Sequence, residues 1–241
     1  LVVTYAYDNA DRALTTTLPP PATSSPSHPA QVTTATYDAL GRVITSTVTT
    51  GSGGSLQTIS TTQTTYWPTG AVKAVSGTGQ YPVEYTYDSQ GRTKTLTTFQ
   101  DFTSTTNKKP AVTTWIYDAR RGLLLEKRYA DPANGQFPTS VAYPPSLNPT
   151  NRTVYAYDAA GRMTTRTWAR GVSTTYVYAT STGQMTGQTY SDATPAVSMT
   201  YDRLGRITSV TDAAGVRTFS FDSKSRPDVE QFTSGLFIDM K

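Results

Sequence analysis

The sequence predicts an all-β protein, an up-and-down meander of hairpins, from its composition and from a short motif that recurs along the chain. Threonine is abundant, with 47 copies among 241 residues, and the chain also holds 16 tyrosines. Both residue types favour β-strands with a partly solvent-exposed face over helices. Hydrophobic residues are 36% and charged residues 16% of the chain. Ordinary disorder is not indicated, since it goes with high net charge and few aromatic side chains.

A six-residue motif organises the chain: Tyr, Asp, two variable residues, Gly and Arg. Complete copies begin at Tyr37, Tyr87, Tyr157 and Tyr201. Weaker copies begin at Tyr7, Tyr117 and Phe221, and eroded copies that keep the aromatic residue and the glycine begin at Tyr66 and Tyr178. Where no insertion intervenes, the nine units recur at steps of about 20–22 residues, which is the length of one small supersecondary repeat.

Each motif has the chemistry of a tight hairpin turn. Aspartate at the first position and glycine at the fourth are typical of a type I turn, in which the aspartate accepts backbone N–H groups. The glycine supplies the positive φ of a bulged hairpin. The arginine starts the returning strand, within reach of the aspartate for a charge-assisted hydrogen bond. The predicted structural turn residues are Asp38, Gly41, Arg42, Asp88, Gly91, Arg92, Asp158, Gly161, Arg162, Asp202, Gly205 and Arg206.

The strands that enter the turns carry aromatic residues two positions apart, as in Tyr85 and Tyr87 or Tyr155 and Tyr157. Because side chains alternate between the faces of a strand, both rings of a pair lie on one face. We expect rings on neighbouring strands to stack as a ladder of cross-strand contacts. Two strands per unit give about eighteen strands, and sheet twist curves them into a strip.

Insertions rich in Pro, Ser or Gly interrupt the repeat near 18–29, 51–55 and 131–149. Such segments do not pair as central strands, so we predict loops at all three and a flexible hairpin tip at 51–55. No helix signal of ten or more residues is present. We therefore predict a single repeat domain over 1–241.

The repeated motif resembles the YD repeats of the Rhs family, which includes bacterial polymorphic toxin shells, toxin-complex shell proteins, wall-associated proteins and teneurins. Residues 201–222 follow the family pattern closely, with Asp202, Gly205 and Arg206 at the first turn and Asp212 and Gly215 at the second. The resemblance implies a curved β-strip or partial β-shell. No segment matches the self-cleaving core of many family members, so no catalytic residue is carried over.

The function that the resemblance implies is structural. We expect a non-catalytic segment of a longer, secreted or cell-surface bacterial protein, forming part of a shell that encloses a toxin or other cargo. The implied partners are further YD repeats of the parent chain or another copy, paired through open sheet edges.

An extracellular carbohydrate-binding or adhesion module is the alternative that the residues leave open. Aromatic rings on a sheet face can stack on sugar rings, while Thr, Asn and Arg supply hydrogen bonds. Trp67, Trp115 and Trp168 depart from the repeat more than the tyrosines do. An exposed tryptophan among these three is therefore the candidate sugar contact.

Catalysis, cofactor binding and metal binding are not predicted. Two turn aspartates could lie at the spacing that a glycosidase needs, but a residue repeated in every unit serves the unit. An enzyme would need a pocket with non-repeat acids such as Glu84, Glu126 or Glu230. The chain has no cysteine and a single histidine, His28, which excludes thiolate and multi-histidine metal sites within it.

The charge pattern and hydropathy also exclude two classes of partner. The net charge is +4, but the cations are spread along the chain and do not cluster as they do in nucleic-acid binders. No apolar run approaches the ~18–20 residues of a membrane span. We therefore expect neither a nucleic-acid partner nor a membrane span.

Overall fold

The computed structural model describes residues 2–19, 30–52, 55–99, 109–130, 151–233 and 235–239, which contain 19 strands and no helix. The strands are β1 Thr4–Tyr7, β2 Ala13–Leu18, β3 Ala30–Tyr37, β4 Val43–Ser52, β5 Ser55–Tyr66, β6 Val72–Gly77, β7 Gln80–Tyr87, β8 Thr93–Phe99, β9 Pro110–Tyr117, β10 Leu124–Arg128, β11 Arg152–Tyr157, β12 Met163–Thr167, β13 Ser173–Tyr178, β14 Met185–Tyr190, β15 Val197–Tyr201, β16 Ile207–Asp212, β17 Gly215–Phe221, β18 Pro227–Phe232 and β19 Phe237–Asp239. The all-β prediction is confirmed. No helix in these ranges could cross a membrane.

Each strand pairs antiparallel with the strand that follows it in the chain, so the predicted up-and-down meander is confirmed. Contacts divide the chain into two compact units. The first comprises Leu1–Thr114 with Tyr129–Phe137, and the second comprises Trp115–Arg128 with Pro138–Lys241. The single domain over 1–241 stays a prediction, and each unit is described by itself below.

A β-bulge precedes the aromatic residue of the motif in many hairpins. The register shifts between Thr36 and Tyr37, for example, so that Thr36 faces Thr45 while Tyr37 faces Val43. The same shift occurs immediately before Tyr7, Tyr66, Tyr87, Tyr157, Tyr178, Tyr201 and Phe221. The extra residue bends the strand and re-aims the side chain that follows it.

Strand alternation gives each unit two chemically different faces. On β13, Thr174, Tyr176 and Tyr178 lie on one face and are buried or half-buried, while Thr175 and Val177 on the other face are exposed. Strands β3, β7, β15 and β17 alternate in the same way towards the turn. We call the face that carries the paired rings the aromatic face, and the opposite face, rich in Thr and Ser, the threonine face.

Few side chains are fully buried. Among the described residues, Phe99 is the one hydrophobic side chain that falls below a tenth exposed, at 6%. The other buried side chains are polar: Glu126, Arg152, Thr153 and Thr174. With so little apolar core, the register and stability of the sheet depend mainly on backbone ladders, turns and cross-strand side-chain contacts.

Hydroxyl groups close some hairpins at the end opposite the motif. The Thr61 N–H donates to Thr78 Oγ1 at 2.9 Å, and the Thr78 N–H donates to the Thr61 carbonyl at 3.0 Å. Ser191 caps Ser173 in the same way. These caps extend the pairing of two strands by one residue beyond the ladder.

The predicted insertions differ in how far the structure describes them. The predicted loop at 51–55 is wrong at its ends, because β4 continues through Ser52, β5 resumes at Ser55 and these two residues pair in the ladder. Strand β3 also pairs with β4 as far as Gly51. Residues 53 and 54 lie outside the described residues. The segments 20–29 and 131–150, which hold most of the other two predicted loops and His28, lie outside the described residues.

The fourth turn position adopts a positive φ whichever residue occupies it. Gly91 and Gly161 have φ values of +79° and +81°, and the non-glycine residues Asp11 and Ser225 have +57° and +64°. A Cβ in this region of φ/ψ space costs roughly 1–2 kcal/mol for most residues. Ser225 is therefore the most strained substitute in the series, because aspartate tolerates the left-handed region better.

Replacing Ser225 with glycine is expected to raise the free energy of unfolding by about 0.5–1 kcal/mol, since relief of strain exceeds the added entropy of the unfolded chain. The reverse change, Gly91→Ser, is the matched control and is expected to cost about 1 kcal/mol. A Cβ at Gly91 would meet no atom within 4 Å, so the loss would report the backbone alone. Urea denaturation measures the free energy of unfolding of both variants. A loss of stability in Ser225→Gly would contradict the claim that the positive φ strains Ser225.

Candidate functional site: the repeated turn and its contacts

In six of the nine motifs one aspartate closes the turn by accepting hydrogen bonds on both carboxylate oxygens. In the second unit of the repeat, Asp38 Oδ1 accepts the backbone N–H groups of Leu40 and Arg42, each at 2.9 Å, and Oδ2 accepts Arg42 Nε at 2.7 Å. The backbone adds two bonds, from the Asp38 N–H to the Arg42 carbonyl and from the Gly41 N–H to the Asp38 carbonyl. The aspartate thus fixes both the turn and the start of the next strand.

The same arrangement recurs in the other complete motifs and in the two weaker copies that begin at Tyr7 and Phe221. The Nε–Oδ2 distance between the arginine and the aspartate is 2.6–2.8 Å in each of them. The pairs are Arg12–Asp8, Arg92–Asp88, Arg162–Asp158, Arg206–Asp202 and Arg226–Asp222. All twelve predicted turn residues thus lie in turns of this geometry, with Gly41, Gly91, Gly161 and Gly205 at the positive-φ position.

Two turns are one residue longer and lack the Asp–Arg fork. Gly122 donates its N–H to the Asp118 carbonyl, and Gly183 donates to the Ala179 carbonyl, each four residues back. Asp118 still accepts the N–H groups of Arg120 and Arg121. The side chain of Arg121 instead reaches the next motif, where Nη1 donates to the Asp158 carbonyl at 2.9 Å.

A second set of contacts joins each motif to the one before it. The Tyr37 hydroxyl donates to the carbonyl of Ala13, the residue after Arg12, at 2.7 Å. The Arg12 guanidinium lies over the Tyr37 ring, with its carbon 4.7 Å from the ring centroid. The aromatic residue of one unit is therefore held by both the backbone and the arginine of the preceding unit. We call this pair of contacts the inter-repeat clamp.

The hydroxyl contact of the clamp recurs along both compact units. The tyrosine hydroxyl lies 2.7–2.9 Å from its carbonyl acceptor in each copy. The pairs beyond the first are Tyr66 with Val43, Tyr87 with Val72, Tyr157 with Leu124, Tyr178 with Met163 and Tyr201 with Met185. Arginine also covers the rings of Tyr66, Tyr178 and Phe221, at 4.1–4.7 Å.

The paired rings lie on one face, as predicted, but the predicted stacking of tyrosine rings across strands is wrong at three of them. At Tyr37, Tyr66 and Tyr178 the group over the ring is an arginine of the preceding turn. The motif contains both partners of this contact, because its aromatic residue and its arginine recur together. The contact itself cannot be predicted without the register in which one repeat pairs with the next.

Hydrogen bonding shifts the pKa of the turn aspartates downward. For Asp38 and Asp158 the backbone N–H of the paired arginine contributes most, followed by its guanidinium. The phenols shift the opposite way, since burial raises the pKa of Tyr87, Tyr157 and Tyr178 above its ordinary value. The ionised carboxylates that close the turns and the neutral phenols that form the clamp are therefore the favoured forms at neutral pH.

The three candidate sugar-binding tryptophans are half-buried and have cations over their rings. Trp67 and Trp168 occupy the aspartate position of a turn and donate their backbone N–H to Ala71 and Val172 at 2.8 Å. The cations are Lys73 over Trp67 at 4.9 Å, Lys127 over Trp115 at 5.5 Å and Arg166 over Trp168 at 3.5 Å. These placements give the carbohydrate alternative no support.

The non-repeat acids lie on three different strands. Glu84 is exposed on β7 of the first unit. Glu126 is buried on β10 and accepts Arg128 Nε at 2.7 Å. Glu230 lies on β18, and one of its oxygens is 3.8 Å from Arg217. None of these contacts joins two of the acids that the enzyme hypothesis named.

The fold and the turns together define a tandem array of Tyr-Asp hairpins. Residues 201–231 match the family described as RHS Repeat. The predicted resemblance to the YD-repeat and Rhs family is therefore confirmed. No curated protein matches the chain.

Solved structures of toxin complexes share the fold. A crystal structure of TcdB2-TccC3 without its hypervariable C-terminal region matches 95% of this chain with a TM-score of 0.53 and 16% identity. The Tc holotoxin pore of Photorhabdus luminescens matches 97% with a TM-score of 0.54 and 13% identity. The chain spans 13% of the length of either match.

Changing one hydroxyl group in the clamp tests its contribution to stability. Tyr178→Phe removes the donor to the Met163 carbonyl and is expected to cost about 1 kcal/mol. Phe221 has the same ring position under Arg206 but no hydroxyl, so Phe221→Tyr is expected to add up to about 1 kcal/mol by donating to the Ile207 carbonyl. Chemical denaturation of both variants gives the two changes in the free energy of unfolding. A general clamp requires a loss of stability in Tyr178→Phe and a gain in Phe221→Tyr.

Acid is expected to destabilise the fold through the turn aspartates. Their folded pKa values lie below the ordinary 3.8, so the stability that they contribute is fully present above that pH and is lost as the pH falls through the folded values. The urea midpoint is expected to be constant from about pH 5 to 7 and to fall steeply below about pH 4.

Asp38→Asn is the matched variant for this measurement, since it removes one such carboxylate. It is expected to lower the urea midpoint at pH 6 and to make the fall of that midpoint below about pH 4 less steep. Equal midpoints for the unmodified chain at pH 3 and pH 6 would show that the aspartates do not control stability.

Proposed function

We propose that this chain is a non-catalytic structural segment of an Rhs-type protein, in which the YD-repeat sheet forms part of a shell that encloses a toxin or other cargo. The observation that carries the proposal is the constancy of the hydroxyl contact in the clamp. The tyrosine and its acceptor are 15 residues apart at Tyr178, 24 at Tyr37 and 33 at Tyr157, yet the hydroxyl-to-carbonyl distance is 2.7–2.8 Å in all three. Insertions therefore change the length of chain between two repeats without changing the hydroxyl-to-carbonyl distance that joins them.

The use of the polar groups supports a structural role over a catalytic one. The turn carboxylates of Asp38, Asp88 and Asp158 already accept hydrogen bonds on both oxygens. Such groups hold a turn and have little capacity left to act as general bases. The similarity to toxin-complex structures agrees with this role at the level of fold.

The proposed partners are further YD repeats, which would extend the sheet at its edge strands, or another copy of the chain. On β1, Tyr5 and Tyr7 are more than half exposed, and on β19 Phe237 is 68% exposed. Exposed rings on short edge strands are surfaces that an additional strand would cover. As part of such a shell the protein would be secreted or displayed at the bacterial surface.

Limited proteolysis of the natural protein that carries this chain tests enclosure. Segments that proteases spare in the native protein, but cleave after urea treatment, define the enclosed cargo. Replacing Tyr37, Tyr87 and Tyr178 with alanine removes three of the hydroxyl contacts between repeats and is expected to make the cargo cleavable without urea. The matched control, Thr86→Ser, Thr175→Ser and Thr200→Ser on the threonine face, is expected to leave the cargo protected. Equal cleavage of the cargo in the native protein and in the alanine variant would contradict the proposal.

A further inference from the structure

Arg166 on β12 belongs to no turn and lies in an aromatic cluster of the second compact unit. Its guanidinium carbon is 3.5 Å from the Trp168 ring centroid and 5.7 Å from that of Tyr155. It is in register with Tyr155 on β11 and with Thr174 on β13. Thr174 is 4% exposed, and Trp168 Nε1–H donates to its hydroxyl oxygen at 3.4 Å. The cluster is therefore held in place on the aromatic face by packing and by one hydrogen bond.

Arg166 lacks the carboxylate that the turn arginines have. Arg42, Arg92 and Arg162 each donate to an aspartate at 2.7 Å. Within the described ranges Arg166 forms no ion pair, and its Nε, which is shielded from water, has no hydrogen-bond partner. A guanidinium carries five N–H donors, and leaving a shielded charged donor unpaired costs free energy. An unpaired donor that is held rigidly by its neighbours is a feature of preorganised binding sites.

The surroundings of Arg166 indicate the chemistry of the missing partner. The planar fork of a guanidinium matches the two oxygens of a carboxylate. A single cation beside rings and one neutral hydroxyl suits a monoanion, whereas phosphate groups carry more charge and generally meet several cations or backbone N–H groups. The rings of Trp168 and Tyr155 would contact the hydrocarbon part of the ligand.

We propose that Arg166 binds the carboxylate of an aspartate or glutamate side chain in a polypeptide that lies on the aromatic face. That the ligand is a polypeptide rests on the proposed shell function. That it is a carboxylate rests on the cluster alone. The site would give the shell wall an anchor for acidic segments of its cargo, separate from the turns that build the wall.

Titration of the full 241-residue chain with hexaglutamate tests this site. Trp67→Phe and Trp115→Phe leave Trp168 as the fluorescent reporter next to Arg166. Hexaglutamate is expected to change the Trp168 emission in a saturable, salt-sensitive way, and hexaglutamine is expected to leave it unchanged. Arg166→Gln is expected to weaken hexaglutamate binding about tenfold, the effect of losing one charge-assisted hydrogen-bonded pair.

Arg203→Gln is the matched control, because it removes the same charge from an exposed turn position of the same compact unit. It is expected to leave affinity within about twofold, as for a screened surface charge. If circular dichroism shows that Arg166→Gln does not fold, Arg166→Lys takes its place, and the loss of the fork is expected to weaken binding severalfold.

Equal weakening by Arg166→Gln and Arg203→Gln would overturn the proposal, since binding would then follow overall charge. Tighter binding of oligogalacturonate than of hexaglutamate would also overturn it and would assign the site to an acidic sugar. Failure of the shell function is distinguishable, because it appears as unprotected cargo in the proteolysis experiment whether or not hexaglutamate binds at Arg166.

Discussion

The hydroxyl of one tyrosine, donated to a backbone carbonyl of the preceding repeat, sets the spacing on which the rest of the sheet depends. A strand ladder fixes distances between two neighbouring strands, but it does not define where a turn lies relative to the turn before it. The clamp supplies that second constraint, because the carbonyl fixes the hydroxyl end of the ring and, at Tyr37, Tyr66 and Tyr178, the arginine of the preceding turn covers its face. Each hydrogen bond contributes about 1 kcal/mol and each cation–ring contact about 0.5–1 kcal/mol, so the effect becomes large through repetition.

This arrangement accounts for a protein with a high threonine content and almost no apolar core. A globular domain of this length would normally bury many aliphatic side chains, whereas Phe99 alone among the described hydrophobic side chains is buried. Repeat proteins replace one central core with a series of interfaces between neighbouring units. Here the interface consists of a ring, a guanidinium and a carbonyl, and the threonine face remains in water. Insertions are tolerated because the contacts of the interface do not involve the loops.

The sequence was sufficient for the local structure and insufficient for the contacts between repeats. The spacing of Asp38, Gly41 and Arg42 predicted the turn, and the two-residue spacing of Tyr85 and Tyr87 predicted a shared face, because turn chemistry and strand alternation are local rules. The acceptor of the Tyr157 hydroxyl lies 33 residues earlier in the chain, and a local rule does not identify it. Trp168 was predicted as a candidate sugar contact but not as the first residue of a turn, and Arg166 beside it was not predicted as a site residue, since neither follows the repeated motif.

The coupling free energy between Arg162 and Tyr178 tests the central claim most directly. A double-mutant cycle with Arg162→Met and Tyr178→Leu compares the two single variants with the double variant by urea denaturation. We expect a coupling of about 0.5–1 kcal/mol for this pair, whose groups are 4.7 Å apart. We expect a coupling near zero for Arg162 with Tyr201, which lies one repeat further on. Additive effects at Arg162 and Tyr178 would contradict the claim that the clamp joins one repeat to the next.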